Sequence, residues 1–329
     1  MENSSVDVCI IGAGLSGLSA ARALTAGGRR VVILDKSRGL GGRAATRRLD
    51  GIPVDHGAQF FTARSAAFQK QTETWLEAGV CFEWSRGFHQ AVNGRIEPPG
   101  SVDAHPRFAC ADGMTALAKT LGDGLEVRRE HRVIRVVSDG DNFSVECEGG
   151  GIIRAATVFS SAPLPQTMAF AGGIVGIDHE AAGVPFESCL AVIAETTGPD
   201  PAWRGVQVRE GNLAWIGADF TKRRERPERR FIVLHGSSEF SARHVDGDLD
   251  GAARILLQDA AALDPETLAS LKPRHVQRWR FARCARPMEG NAFLRFDAGF
   301  YIIGDAFLQG KIESAWTSGQ AAAADLLGR

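Results

Sequence analysis

The chain of 329 residues has one tyrosine, six cysteines and a formal net charge of only −1. A charge so near zero argues against a generalised nucleic-acid surface. No run of about 18 apolar residues occurs, so no membrane span is expected. The first residues lack a basic stretch followed by an apolar one, so a signal peptide is not expected and the expected location is cytoplasmic. The cysteines form no C-x-x-C pair and show no metal-ligand spacing. Free thiols in a reducing compartment, and no metal site, follow. Repeats and low-complexity tracts are absent too.

What is present begins at once. Val6 to Ile11 is apolar, Gly12-Ala13-Gly14-Leu15-Ser16-Gly17 follows, then an Ala/Leu-rich segment, then Val31-Val32-Ile33-Leu34-Asp35. Strand, Gly-x-Gly-x-x-Gly turn, helix and a second strand ending in an acid form the dinucleotide-binding fingerprint in its proper context. Gly12 permits the tight turn, Gly14 lets a pyrophosphate approach, and Gly17 lets helix and strand pack closely. The helix start offers free N–H groups to phosphate. Asp35 stands where a carboxylate reaches the ribose hydroxyls.

A glycine-rich basic loop follows, from Lys36 through Gly41, Gly42 and Arg43, whose guanidinium suits phosphate. Residues 54–61 interrupt an apolar run with small and polar groups, as backbone does beside something flat. Residues 65–78 read as an amphipathic helix with Phe68, Trp75 and Leu76 apolar, 80–84 as a strand, and 87–106 as loop or hairpin. A helix over 114–121 precedes strands over 125–128, 131–137, 143–148 and near 158–163. Between 166 and 294 the texture changes. Strands over 190–196, 213–220, 231–237 and 275–282 with a helix over 249–263 predict a mixed sheet crossed by a helix. An apolar strand ending in Gly304-Asp305 and a helix over 313–327 return to the nucleotide fold.

The pattern of fingerprint, acid, Gly-Gly-Arg and Gly-Asp resembles the flavin-containing amine oxidase superfamily. Asp55-x-Gly57-Ala58-Gln59-Phe60-Phe61, Leu234-His235, Arg278-Trp279-x-Phe281-Ala282 and Glu313-x-Ala315-Trp316 resemble its renalase-like branch. The resemblance implies a two-domain α/β chain: a Rossmann-type FAD-binding domain over 1–62, 107–163 and 295–329, and a mixed-sheet substrate domain over 63–106 and 164–294. It implies FAD held without a covalent bond. Gly12, Ala13, Gly14 and Gly17 would line the pyrophosphate, with Asp35 on the ribose and Lys36 nearby. Gly42 and Arg43 would lie by phosphate, Ala58 and Gln59 beside the flavin, and Val133 against the adenine. Asp305 would take the ribityl or phosphate end, and the helix starting at Ile312 would aim its N-terminus at the flavin. Such a terminus stabilises negative charge on a reduced ring.

The branch oxidises 2- or 6-dihydro isomers of NAD(P) to NAD(P)+. Hydride passes to flavin N5, and O2 reoxidises the flavin to give H2O2. Loss of hydride makes the ring aromatic, so shape matters more than a general base, and a ring carbon must sit about 3–3.5 Å from its acceptor. No residue therefore stands out as catalytic beside the flavin itself. Trp279 is a stacking wall or a core residue. His235 is a carboxamide partner or a satisfied core histidine. Arg283 and Arg286 are anion contacts or solvated. Trp316 is expected beneath the flavin. The run from Lys222 to Arg230 is a solvated hairpin loop or a pyrophosphate clamp. Covalent attachment at His56 is conceivable but not favoured. Phe281, Cys284 and Gly236-Ser237-Ser238 depart from the branch, where Tyr, Pro and a Thr-containing stretch are frequent. A rival reading is an amine oxidase or desaturase on the same scaffold, though one tyrosine cannot build a tyrosine cage. Another is a non-catalytic FAD-binding protein. The expected partners are the dihydronicotinamide and O2, with no nucleic acid, no membrane and no oligomeric state indicated.

Overall fold

The computed structural model describes residues 4–99, 105–174, 176–177, 183–288, 290–296 and 299–329. The chain divides into two compact units. Unit 1 comprises residues 1–44, 117–185 and 284–329; unit 2 comprises 45–116 and 186–283.

Unit 1 is built on an eight-stranded sheet. Its order runs Val133–Ser138, Phe143–Cys147, Ile152–Ser160, Ser4–Ile11, Val31–Asp35 and Val127–Arg129, with Phe300–Ile302 and Leu294–Phe296 added beside Ile152–Ser160. The central pairings are parallel: Ile10 lies opposite Ile33 on one side and Phe159 on the other. Val8 to Ile10 are essentially inaccessible, as in a parallel strand covered on both faces. The fingerprint helix Leu15–Ala26 crosses the C-terminal helix Ile312–Leu327. Gly319 makes this possible, because a Cβ there would stand 2.2 Å from the Ser16 carbonyl oxygen. Ser19 Oγ adds a 2.9 Å bond to the Trp316 carbonyl.

Unit 2 holds a seven-stranded sheet in the order Lys272–Cys284, Phe186–Thr196, Arg230–Gly236, Leu213–Ala218, Gly205–Val208, His89–Val92 and Arg95–Glu97. It is mixed: Gly205–Val208 runs parallel to His89–Val92 and antiparallel to Leu213–Ala218. Side-chain alternation gives the sheet two faces. Leu190, Val192, Ile216, Ile232 and Leu234 pack with Leu256 of the helix Leu249–Leu263. Ile193, Phe231 and Val233 pack with Val54 from the hairpin Thr46–Leu49/Ile52–Asp55.

The expected mixed α/β architecture is present, and the helix over 249–263 has the expected bounds. The helix Ala66–Glu77 starts from Ser65, whose side chain accepts from the Phe68 amide. Some readings need correction. Leu76 is exposed, because only Phe68, Thr72 and Trp75 fall on the buried stripe. The strand expected over 213–220 ends at Ala218, and Asp219–Lys222 closes into a 3₁₀ turn. The segment 87–106 holds the antiparallel hairpin His89–Val92/Arg95–Glu97, and its residues 100–104 lie outside the described residues.

Candidate functional site

In unit 1 the fingerprint has the geometry its glycines require. Gly12 adopts φ +104°, a region that disfavours a side chain. A Cβ on Gly17 would stand 2.1 Å from the Gly12 carbonyl oxygen, whereas one on Gly14 would meet nothing within 4 Å. Gly14 therefore faces open space and Gly17 is a packing glycine. The Gly-Gly-Arg loop docks on this turn: Gly41 N donates to the Ala13 carbonyl at 2.9 Å. Gly42, at φ +54°, would bring a Cβ within 3.5 Å of the Gly14 Cα.

Asp35 is buried at the end of its strand. Its carboxylate accepts from Ala13 N at 2.6 Å and Ser37 N at 2.7 Å. The acid thus braces the turn, and its remaining lone pairs point elsewhere. Lys36 donates to Gln166, and burial chiefly lowers its pKa. Val133 is buried where the outer strand begins, beyond His131, whose amide bonds the Asp35 carbonyl at 2.9 Å. Arg43 and Asp305 form a fork pair at 2.7 and 2.5 Å. Gly304 N donates to Ser318 Oγ, tying that strand end to the C-terminal helix.

Two observations test whether these residues fit a dinucleotide. Neither the fingerprint helix nor the helix starting at Ile312 has a side-chain cap on its N-terminus. The N-cap residues, Gly14 and Lys311, thus give the first turns no side-chain acceptor. Ser16 Oγ, in the first turn of the fingerprint helix, is buried without a hydrogen-bond partner. Open glycine, uncapped helix and orphan hydroxyl together suit a phosphate. The residues present fit FAD.

Unit 2 gathers a different chemistry. Lys222 is fully buried and bonds Asp55 Oδ2 at 3.1 Å, Asp219 Oδ1 at 3.0 Å and Gln59 Oε1 at 3.1 Å. Arg223 bonds Asp219 Oδ2 at 2.6 Å and approaches Asp55 at 3.5 Å. Burial works to raise the Asp219 carboxyl, but the Lys222 and Arg223 charges outweigh it and hold it below the usual range. Asp55 also accepts from Met114 N and Thr46 Oγ1. Gln59 Nε2 is spent on the carbonyls of Asp55 and Gly57. Ala58, beside it, is half-buried.

Lys222 and Arg223 depart from the reading of residues 222–230 as a solvated loop or an open clamp, whereas residues 224–226 and 228 are exposed as a solvated loop would be. The side chains of the first two are buried, and later arginines are paired: Arg226 and Arg230 with Asp200, Arg229 with Glu195 and Asp50. One signal was available. Asp219, Lys222 and Arg223 stand at i, i+3 and i+4, the spacing at which side chains meet on one turn.

On the same side of the sheet lie His235, Trp215, Trp279 and His56, with His275 edge-on to His56 at 6.1 Å between centroids. Trp215 and His235 are register partners on neighbouring strands and share a face. His56 stacks on Trp279 with centroids 5.4 Å apart and planes 13° apart. Trp279 Nε1 donates to the His56 carbonyl at 2.9 Å. Burial, then the His275 and Arg47 charges, lowers His56 to about 4 against the pull of Asp219. Burial, then Lys222 and His56, lowers His235 to about 4. Both rings are neutral at physiological pH. His56 Nδ1, His235 Nε2 and Trp215 Nε1 are buried without partners.

Arg283 is mostly exposed and its charge is met by Glu187. Cys284 and Trp316 are buried in unit 1. Among the described residues, no three His, Cys, Asp or Glu side chains are grouped to hold a metal. Nor is any described helix long and apolar enough to cross a membrane.

Comparison with known proteins agrees with this picture. Residues 10–72 match the model of an NAD(P)-binding Rossmann-like domain. Residues 91–327 match the model of flavin containing amine oxidoreductases. Putrescine oxidase of Kocuria rosea is 24% identical over 240 residues, 64% of this chain and 50% of that protein. AofH of Mycobacterium tuberculosis, assigned as a flavin-containing monoamine oxidase, is 45% identical over 56 residues, 17% of this chain and 12% of that protein. The matches thus span half or less of these relatives' lengths. Among solved structures, putrescine oxidase bound to putrescine superposes with a TM-score of 0.74 at 14% identity, over 99% of this chain and 100% of that one. A fatty acid isomerase from P. acnes gives 0.72 at 11%, over 99% of both. At such identities the likeness shows the fold alone. The family model covers most of the chain, which therefore belongs to the flavin containing amine oxidoreductase family.

Proposed function

We propose that this chain is an FAD-dependent oxidase of the renalase-like kind, oxidising 2- or 6-dihydro isomers of NAD(P) to NAD(P)+. Unit 1 is the FAD-binding part and unit 2 supplies the substrate-binding residues. The uncapped helix starts, the open backbone at Gly14 and Ser16 Oγ hold the pyrophosphate without a covalent bond. Asp35 offers its remaining lone pairs to the ribose, with Lys36 close by and Val133 backbone against the adenine. Gly42, Arg43, Asp305 and Ile312 would hold the phosphate-to-flavin portion. When bound, FAD supplies the hydride acceptor and O2 restores it, giving H2O2.

The observation that carries the substrate reading is the neutrality of the polar face in unit 2. Its unpartnered imidazole and indole nitrogens are uncharged, while Asp55 and Asp219 are consumed by Lys222 and Arg223. Among the described residues of that face, a second ammonium, as on a diamine, finds no free carboxylate. A dihydropyridine bearing a carboxamide is neutral, planar and rich in hydrogen-bonding edges. His235 meets the carboxamide and Trp279 walls the ring, an arrangement aromatic faces favour. Arg283 exchanges Glu187 for an anionic part of the substrate, at small cost because exposed pairs are weak.

Similarity to putrescine oxidase favours a second reading, oxidation of a small amine. Anaerobic mixing separates the two. Rapid bleaching of the flavin by 6-dihydro-NAD, and none by a panel of amines, supports the first. Bleaching by an amine alone establishes the second.

A further inference from the structure

The buried cluster of unit 2 holds a lysine that the proposed reaction does not use. Lys222 Nζ makes three hydrogen bonds, to Asp55, Asp219 and Gln59, so all its ammonium hydrogens are engaged. The Trp84 ring lies 5.0 Å from it. Held this way, the ammonium has no hydrogen to give a substrate. What it fixes is backbone. Gln59, gripped by Lys222 at Oε1, returns Nε2 to the Asp55 and Gly57 carbonyls. The loop from Asp55 to Gln59 is thereby bolted to the turn Asp219–Lys222. That loop carries His56, which lies on Trp279.

We propose that Lys222 is a positioning residue of the substrate face, one that locks the Asp55–Gln59 loop and sets a neutral hydrogen-bonding environment around His56 and His235. The inference rests on reading this face as the substrate-binding one. The groups bearing on the two rings differ. His235 is influenced by Lys222 from the turn and His56 from the loop. His56 is influenced by His275 from the long edge strand, Arg47 from the hairpin and Asp219 from the turn. Removing Lys222 and Asp219 together therefore acts on the two rings in opposite directions.

The test uses the FAD-loaded Lys222→Met/Asp219→Asn double variant, which keeps the net charge and leaves Asp55 with Arg223. Histidine titration by NMR should show His235 moving to higher pH and His56 to lower pH. A loss of packing alone would shift both rings the same way. The KM for 6-dihydro-NAD should rise by on the order of tenfold, with kcat less affected, since small misplacements in a site are expensive. A folded double variant with both titrations and KM unchanged overturns the proposal. If that variant does not fold, Gln59→Leu decides, because it releases the loop while keeping every charge. It should raise KM and leave both titrations in place, and an unchanged KM overturns the proposal. If wild-type flavin is not reduced by any dihydronicotinamide, the proposed function fails, while the histidine titrations still decide the role of Lys222.

Discussion

Alternate residues of the same two strands in unit 2 build two unlike surfaces. Leu190, Val192, Ile232 and Leu234 pack in one apolar cluster with residues of the helix Leu249–Leu263. Ile193, Phe231, Val233 and His235 face the side that carries Val54 and His56, and there the apolar cover gives way to buried charge and neutral rings. The first surface is stabilised by area removed from water, about 25 cal/mol per Å². The second has paid desolvation for two acids and two cations, which stay buried only because each meets its partner. A helix covers the first face and makes it core. The second keeps unpartnered nitrogens, which are costly in a core and useful in a binding site.

The contrast can be broken most severely at Lys222. Lys222→Met leaves Asp55 and Asp219 with one cation, and the fold should lose roughly 3–5 kcal/mol in urea denaturation. Leu256→Ala, on the opposite face, should cost about 3 kcal/mol through a cavity and leave flavin reduction unchanged in the surviving folded fraction. Acid should distinguish the faces next. Both His56 and His235 are lowered from the usual 6.5 to about 4 in the fold. The unfolded chain then binds protons first, so stability is full above about pH 6.5 and falls as pH drops towards 4. Thermal melting across that window should show the loss, and His235→Gln should flatten part of it. The smallest effect is expected at Trp279. Trp279→Phe keeps a ring against His56 and removes the bond to its carbonyl, costing about 1 kcal/mol by denaturation and slowing flavin reduction modestly.

The two units differed in how much of them could be read in advance. Gly12, Gly14, Gly17 and Asp35 lie within one segment of 24 residues, and each glycine answers a local demand of the backbone. The fingerprint's geometry was therefore legible. What the sequence did not disclose was that the Asp35 carboxylate braces the turn through Ala13 N, or that Arg43 and Asp305, 262 positions apart, make a fork pair. In unit 2 the strands and the helix over 249–263 were visible as periodicity. The ion cluster was not, because Asp55 lies 167 positions before Lys222 and only the fold brings them together. The basic run misled for a physical reason. Charge spacing alone cannot reveal that Asp219 meets Lys222 and Arg223, that Asp200 meets Arg226 and Arg230, or that Glu195 meets Arg229.

The central claim is that the substrate face presents neutral groups to a neutral ring. Its most direct test is the rate constant for anaerobic flavin reduction by 6-dihydro-NAD, followed from pH 5 to pH 8. Because both imidazoles titrate near 4, the rate should be flat across this range. An acid limb with a midpoint between 6 and 7, lost in His56→Asn or His235→Gln, would contradict it.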